Sequence, residues 1–123
     1  MKRKAICLGL VMAFSASATA RPSATHRVVD EGALRAMFAG HALSDGTHYT
    51  YQFQRDGSLT GAEMGRDVQG RWQVMAHSMC LSWIKPVGKR ECYEVRMAGG
   101  EVQLSRSGRE MYFGTLARLI APA

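Results

Sequence analysis

The apolar positions follow a helical period near the start of the chain and a period of two after it. Residues 30–43, DEGALRAMFAGHAL, predict one short helix, with Gly40 as its C-terminal stop. Asp30 is suited to cap its N-terminus, because an aspartate oxygen can accept a hydrogen bond from the first turn. Leu34, Met37 and Phe38 recur at i, i+3 and i+4 and form one apolar stripe. We therefore expect this helix to pack on the rest of the chain through that stripe.

Beyond the helix, short segments alternate apolar and polar residues, as strands with one buried face do. Turn signals separate them at Asp56-Gly57, at residues 76–78 and at Gly99-Gly100, whereas residues 65–70 are polar and predict a loop. The predicted strands are 48–53, 58–62, 70–75, 79–84, 91–97, 101–105 and 110–116. This spacing leaves no room for a βαβ crossover. We predict a mainly β (α+β) fold, in which the helix precedes a six- or seven-stranded antiparallel meander, a curled sheet or partial barrel.

The first twenty residues have the three regions of a secretory signal peptide. Residues 2–4 are basic, residues 5–14 are apolar apart from one glycine, and residues 18–20 give the small-x-small pattern that precedes cleavage. The apolar run is well short of the roughly 20 residues that span a bilayer. We therefore predict cleavage after Ala20 and a periplasmic or secreted protein. The expected organisation is a signal peptide at 1–20, a flexible leader at 21–29 and a single small β-rich domain at 30–123.

The charge of the chain changes with that cleavage. The full sequence has a net charge of +6, and three of its sixteen Lys and Arg residues lie in the predicted signal, which leaves +3. So small an excess favours solubility and gives no argument for nucleic-acid binding. The partners that we expect are an unknown protein or an anionic component of the cell envelope.

Cys80 and Cys92 remain after removal of a signal that contains Cys7. They could form a disulfide, bind a metal ion or carry out redox chemistry. Their C-x11-C spacing is not that of a C-x-x-C redox pair, and zinc would need further ligands where only His77 lies nearby. An even number of cysteines in an exported chain favours a disulfide.

Strand parity gives the two cysteines a geometry. In the segments 79–84 and 91–97, the apolar residues share one face and each cysteine lies on the opposite face. If the two strands pair around Pro86, the midpoint of positions 80 and 92, Cys80 and Cys92 stand directly opposite each other and can be bridged. The chain-entropy model gives such a short closed loop a contribution on the order of 3 kcal/mol.

Three short motifs carry a resemblance: GRW at 70–72, CLSW at 80–83 and CYEV at 92–95. In this combination the chain resembles a loose class of small exported proteobacterial domains, many of uncharacterised function, with G-x-W, C-x-x-W and C-Y-x-V motifs. The resemblance covers roughly residues 34–116 and implies a short antiparallel sheet and an envelope location, with no catalytic residues to transfer. A weaker similarity, to calycins such as lipocalins and the bacterial metalloprotease inhibitor barrel, rests on G-x-W alone. Those families carry that motif near the mature N-terminus, where its tryptophan closes one end of a barrel.

Two groups of residues are candidates for a site. The first is aromatic, and these rings would form the core or line a pocket in a half-open barrel: Tyr51, Phe53, Trp72, Trp83 and Tyr93. The second is the loop KPVGKRE with Lys85, Lys89 and Arg90, which is either a solvated turn or a contact for an anionic partner.

No catalytic motif, metal-ligand spacing or cofactor signature accompanies these candidates. The four histidines at 26, 41, 48 and 77 are scattered along the chain. We predict a non-catalytic exported binding or accessory protein of the bacterial cell envelope. The alternatives are an inhibitor of a secreted hydrolase, such as a protease or lysozyme, acting through the 85–90 loop, and a carrier of a small apolar ligand.

Overall fold

The computed structural model describes residue 9, residues 11–13 and residues 25–120. Most of the predicted signal peptide, its cleavage point and the first residues of the leader lie outside these described residues. The elements are β1 His26–Val28, α1 Glu31–Phe38, β2 His41–Ser44, β3 Tyr49–Phe53, β4 Ser58–Glu63, β5 Arg66–Met75, β6 Ser78–Lys85, β7 Glu91–Ala98, β8 Glu101–Arg106 and β9 Arg109–Arg118.

Strands β2 to β9 form a closed antiparallel barrel. Each strand pairs with the next one along the chain, and β9 returns to β2 in a register that places Ala42 opposite Ala117. The prediction of a mainly β meander after a short helix is confirmed, and the barrel is closed rather than partial. Two strands more than the upper predicted number are present among the described residues.

The first additional strand, β1, lies where the sequence predicts a flexible leader. It pairs with β7, with His26 opposite Met97 and Val28 opposite Val95. Strand β6 covers only the first part of β7, so β1 supplies hydrogen-bond partners for the rest of that edge. The prediction of a loose leader is therefore wrong for residues 26–28.

Helix α1 closes one end of the barrel. The Asp30 carboxylate accepts a hydrogen bond from the backbone N–H of Ala33 at 2.7 Å, which confirms the predicted cap. Leu34 and Phe38 are fully buried, and the Phe38 ring meets the Phe53 ring edge to face at 4.9 Å between centroids. The helix ends at Phe38 and the chain turns at Gly40, whose φ of +73° suits glycine, so the predicted stop at Gly40 is confirmed.

The residues after that turn form β2, which is not among the predicted strands. Residues 66–70 are likewise the first half of β5, although their polarity predicts a loop. Val68 is the one apolar side chain on the buried face of this half-strand, because the next inward position is Gly70, which has no side chain. A Cβ at Gly70 would lie 2.5 Å from the carbonyl oxygen of Ser82 and 3.2 Å from the Trp83 ring, so the barrel wall has no room for a side chain.

The antiparallel order places the connections at two ends. The helix end carries α1 and the turns at 54–57, 76–77 and 99–100. We call the opposite end the far end; it carries the connections 45–48, 64–65, 86–90 and 107–108. Within the part of the chain that the structure describes, no helix is long and apolar enough to cross a bilayer.

Candidate functional site

The two cysteines form the predicted disulfide. Cys80 and Cys92 are directly paired between β6 and β7, with Cα atoms 4.0 Å apart. Cys80 is buried and Cys92 is exposed, both on the outer face of their strands. Because the β6–β7 ladder contains only three residue pairs, this covalent link holds together a hairpin with few hydrogen bonds. The disulfide therefore holds together the two strands that carry the connection 86–90 at the far end.

That connection contains the three cations that the sequence identifies as a possible partner contact. Lys85, Lys89 and Arg90 are all exposed. The loop between them folds back on β6, since the N–H of Gly88 donates to the carbonyl oxygen of Trp83 at 3.2 Å. A Cβ at Gly88 would lie 3.3 Å from the Trp83 Cβ, so backbone and indole are in close contact. The cations therefore project from an anchored turn.

The β4–β5 turn lies beside this loop. Met64 and Arg66 line one surface groove together with Lys85 and Pro86, and its volume is about 720 Å³. Three aliphatic side chains around the two connections are strongly exposed: Met64 is 75% exposed, Ile84 56% and Val87 90%. We define the tip surface as Met64, Arg66, Ile84, Lys85, Val87, Lys89 and Arg90. Sequence reasoning missed its aliphatic members. The available signal was that Met64 and Val87 lie in polar turn segments and that Ile84 lies on the outward face of its strand.

The charges of the tip surface are not neutralised internally. Among the residues that the structure describes, none of its four cations has a carboxylate oxygen within 4 Å. Nearby Glu91 is already engaged, because it accepts from the Tyr93 hydroxyl at 2.6 Å and pairs with Arg106 at 3.0 Å. The hydrogen bond from Tyr93 and the positive charge of Arg106 both lower the pKa of Glu91. The tip surface thus remains a basic surface with exposed aliphatic groups.

The five candidate aromatic residues belong to the core. Tyr51, Phe53 and Tyr93 are at most 1% exposed and Trp72 is 9% exposed, while Trp83 is half-buried beneath the loop. Phe53 and Trp72 meet edge to face at 5.8 Å, and Tyr51 lies 5.4 Å from Trp83. These aromatic rings pack against one another in the interior of the barrel. Of the two hypotheses for these residues, the structure supports packing over a pocket.

Trp72 lies at the helix end, where its indole N–H donates to the carbonyl oxygen of Gln54 at 2.8 Å. This bond satisfies the one polar group of a large buried side chain. The tryptophan of the GRW motif therefore helps to close the helix end of the barrel and does not take part in the far end.

All four tyrosines of the chain lie at the far end, inside the barrel wall. The Tyr51 hydroxyl donates to Glu63, and the Tyr93 hydroxyl donates to Glu91. Tyr112 lies between them, with its ring centroid 5.6 Å from each of the other two. Two carboxylates thus flank a chain of phenols. Sequence reasoning missed both glutamates, although each occupies an inward position at the end of its strand.

This environment changes the pKa values of the phenols. Burial, followed by the hydrogen bond to a glutamate, raises the pKa of Tyr51 and of Tyr93 far above the usual value. Burial and then the negative charge of Glu63 raise the pKa of Tyr112. A phenolate would be desolvated beside carboxylates, so the neutral phenol is favoured. The cluster is a satisfied hydrogen-bond network whose protons are held tightly.

The fourth tyrosine completes the barrel wall where β2 stops. The Tyr49 hydroxyl donates to the Phe113 carbonyl oxygen at 2.6 Å and accepts from the Phe113 N–H at 2.8 Å. Strand β2 ends at Ser44, opposite Thr115, so this phenol occupies the place of the next strand residue. Burial raises its pKa as well.

The connection before Tyr49 is organised by Asp45. Its carboxylate accepts from the backbone N–H groups of Thr47, His48 and Tyr49 at 2.7–3.1 Å and contacts the His48 ring at 2.7 Å. Desolvation raises the pKa of this carboxyl, but these hydrogen bonds outweigh it and lower the pKa below its usual range. Asp45 therefore acts in turn formation, the usual role of an aspartate that precedes a glycine.

Comparison of the chain with protein-family models, curated proteins and solved structures found no match. Within the described residues, no group of three or more His, Cys, Asp or Glu side chains is arranged to hold a metal ion. Within the part of the chain that the structure describes, no side chain of the tip surface belongs to the ion pairs or to the tyrosine network given above.

Proposed function

We propose that this protein is a non-catalytic exported binding protein of the bacterial cell envelope, and that it contacts its partner through the tip surface. One observation carries the proposal: in and beside two connections of the far end, three strongly exposed aliphatic side chains stand among four cations that form no ion pair within the described residues. Exposed apolar groups rimmed by polar residues are typical of interaction sites.

The anchoring of the loop supports a binding role. A segment that is held before it meets its partner loses less conformational entropy on binding. Here the Cys80–Cys92 disulfide and the Gly88 to Trp83 hydrogen bond hold the loop in place. The proposed envelope location is supported by the signal-like first twenty residues and by the disulfide, which persists best in an oxidising compartment.

A second candidate function is inhibition of a secreted hydrolase through residues 85–90, which the same exposed and anchored loop would allow. Transport of a small apolar ligand has less support, because the inward rings of Tyr51, Phe53 and Tyr93 are packed against other side chains. The inhibitor hypothesis predicts that a target enzyme loses activity on addition of the protein and regains it when the loop is altered.

Site-specific photocrosslinking in the producing cells tests the proposal. A photoreactive residue at Val87 should crosslink to an envelope component, and a photoreactive residue at Gly100 should not. Gly100 is a matched control because it is exposed at the helix end and a side chain there meets no atom within 4 Å. The double variant Lys89→Glu, Arg90→Glu should abolish the Val87 crosslink while the protein stays folded. Equal crosslinking from both positions, or from neither, would exclude the tip surface as the contact.

A further inference from the structure

We infer that the partner of the tip surface is an anionic phospholipid surface, with Val87, Ile84 and Met64 entering the headgroup region and the cations contacting phosphates. The inference rests on the proposed function, since it names the partner of the same surface. Its physical basis is the combination of protruding aliphatic groups with basic residues, which binds at the boundary between lipid headgroups and acyl chains.

The shape of the tip surface favours a lipid over a protein. Its aliphatic groups lie in two connections at one end of the barrel and, for Ile84, at the end of the adjoining strand, and Val87, the most exposed, lies in the loop itself. Hot spots of protein interfaces are enriched in Trp, Tyr and Arg, of which the tip surface supplies only Arg. The tip surface has no aromatic member, because the nearby Trp83 is half-buried beneath the loop.

The charge also fits a lipid phosphate layer. The tip surface carries four cations, Arg66, Lys85, Lys89 and Arg90. Two acids line the groove beside them, and of these Asp67 lies on the outer face of its strand with an exposed carboxylate. The other lining acid, Glu63, accepts the Tyr51 hydroxyl. Each basic residue near an anionic bilayer strengthens binding about fivefold. Reversal of two of them should therefore weaken binding at least about 25-fold.

Vesicle cosedimentation tests the inference with the purified, disulfide-bonded protein. The probes are vesicles of phosphatidylcholine alone and vesicles that also contain phosphatidylglycerol. We expect binding to the second, a decrease as salt rises, and at least about 25-fold weaker binding for Lys89→Glu with Arg90→Glu. The matched control, Arg55→Glu with Arg118→Glu, makes the same charge change at exposed positions of the helix end and should lose much less.

An uncharged variant tests the aliphatic contribution. Ile84→Ser with Val87→Ser should weaken binding several-fold and leave the salt dependence unchanged, because the cations remain. No binding to phosphatidylglycerol vesicles, or equal losses in the tip and control variants, would overturn the lipid inference. If binding to vesicles is absent but Val87 still crosslinks to an envelope protein, the proposed function stands and the partner is a protein. If both are absent, the proposed function fails as well.

Discussion

The tyrosine cluster makes the protein sensitive to alkali in a way that can be calculated. An unfolded chain ionises its tyrosines near pH 10. In the folded protein the pKa values of all four phenols are raised, with burial as the first cause in each case. Stability from these groups is fully present below pH 10 and is lost as the pH rises towards the folded-state values. Raising the pH is therefore the perturbation.

The two most buried phenols set the magnitude. At pH 12, a tyrosine that stays protonated in the folded state costs about 2.7 kcal/mol of stability relative to an unfolded chain that ionises at pH 10. Tyr51 and Tyr93, at 0% and 1% exposed, would together remove up to about 5.4 kcal/mol. That loss is comparable to the lower end of the stability of native domains, about 5–15 kcal/mol. We expect the barrel to unfold near pH 12, with the phenolates forming at the same time.

The assay follows phenolate absorbance and circular dichroism together during an alkaline titration. The two signals should change in one cooperative step, whereas the protein in guanidinium should show all four phenolates near pH 10. The variant Tyr93→Phe removes one protonated phenol and should make the step less steep. If three or four phenolates form near pH 10 while the circular dichroism of the fold persists, the account of the cluster is wrong.

Other perturbations have equally direct outcomes. Replacing Cys80 and Cys92 by Ser should cost about 3 kcal/mol, or about 12–24 °C in Tm by calorimetry, and an unchanged Tm would show that the hairpin does not depend on the bridge. Asp45→Asn should lower Tm at neutral pH and should reduce the loss of stability on acidification below about pH 4. The reason is that a carboxyl whose pKa is lowered by folding stabilises the fold above that pH. If Tm depends on acid pH in the same way in the parent and the variant, this account of Asp45 is wrong. Gly61→Ala should cost about 3 kcal/mol or more in urea unfolding, since its Cβ meets a backbone carbonyl of β3, whereas Gly100→Ala should be within about 0.5 kcal/mol of the parent.

The sequence pattern predicted those features of the fold that depend on residues close together in the chain. The helix cap at Asp30, the Asp56-Gly57 turn and the facing positions of Cys80 and Cys92 each depend on residues close together in the chain. The start of β5 was missed because its inward positions hold Gly70 in place of an apolar residue. Barrel closure could not be predicted, because β2 and β9 are far apart in sequence and no local pattern indicates that they pair.

The far end shows the same limit for the site. The cations at 85, 89 and 90 were recognisable because charge is visible in sequence, and they lie together in the structure. The inward glutamates break the apolar alternation at the strand ends, so the pattern assigns them to solvent. Their partners, Tyr51 and Tyr93, come from strands 42 positions apart in the chain, and Tyr112 from a third. Each glutamate bonds a tyrosine that is close in sequence, whereas the folded barrel is needed to bring Tyr51, Tyr93 and Tyr112 together.

The order of pairing around the barrel has a consequence for folding kinetics. Seven of its eight strand pairings join consecutive strands, and the eighth joins β2 to β9. Hairpins form in microseconds, whereas a contact between the two ends of the meander must first overcome the entropy of closing a long loop. The open meander would expose β9 as an edge ten residues long, with Met111 and Phe113 on its outer face. Until the four residues of β2 dock, that edge is where one chain can pair with another and aggregate.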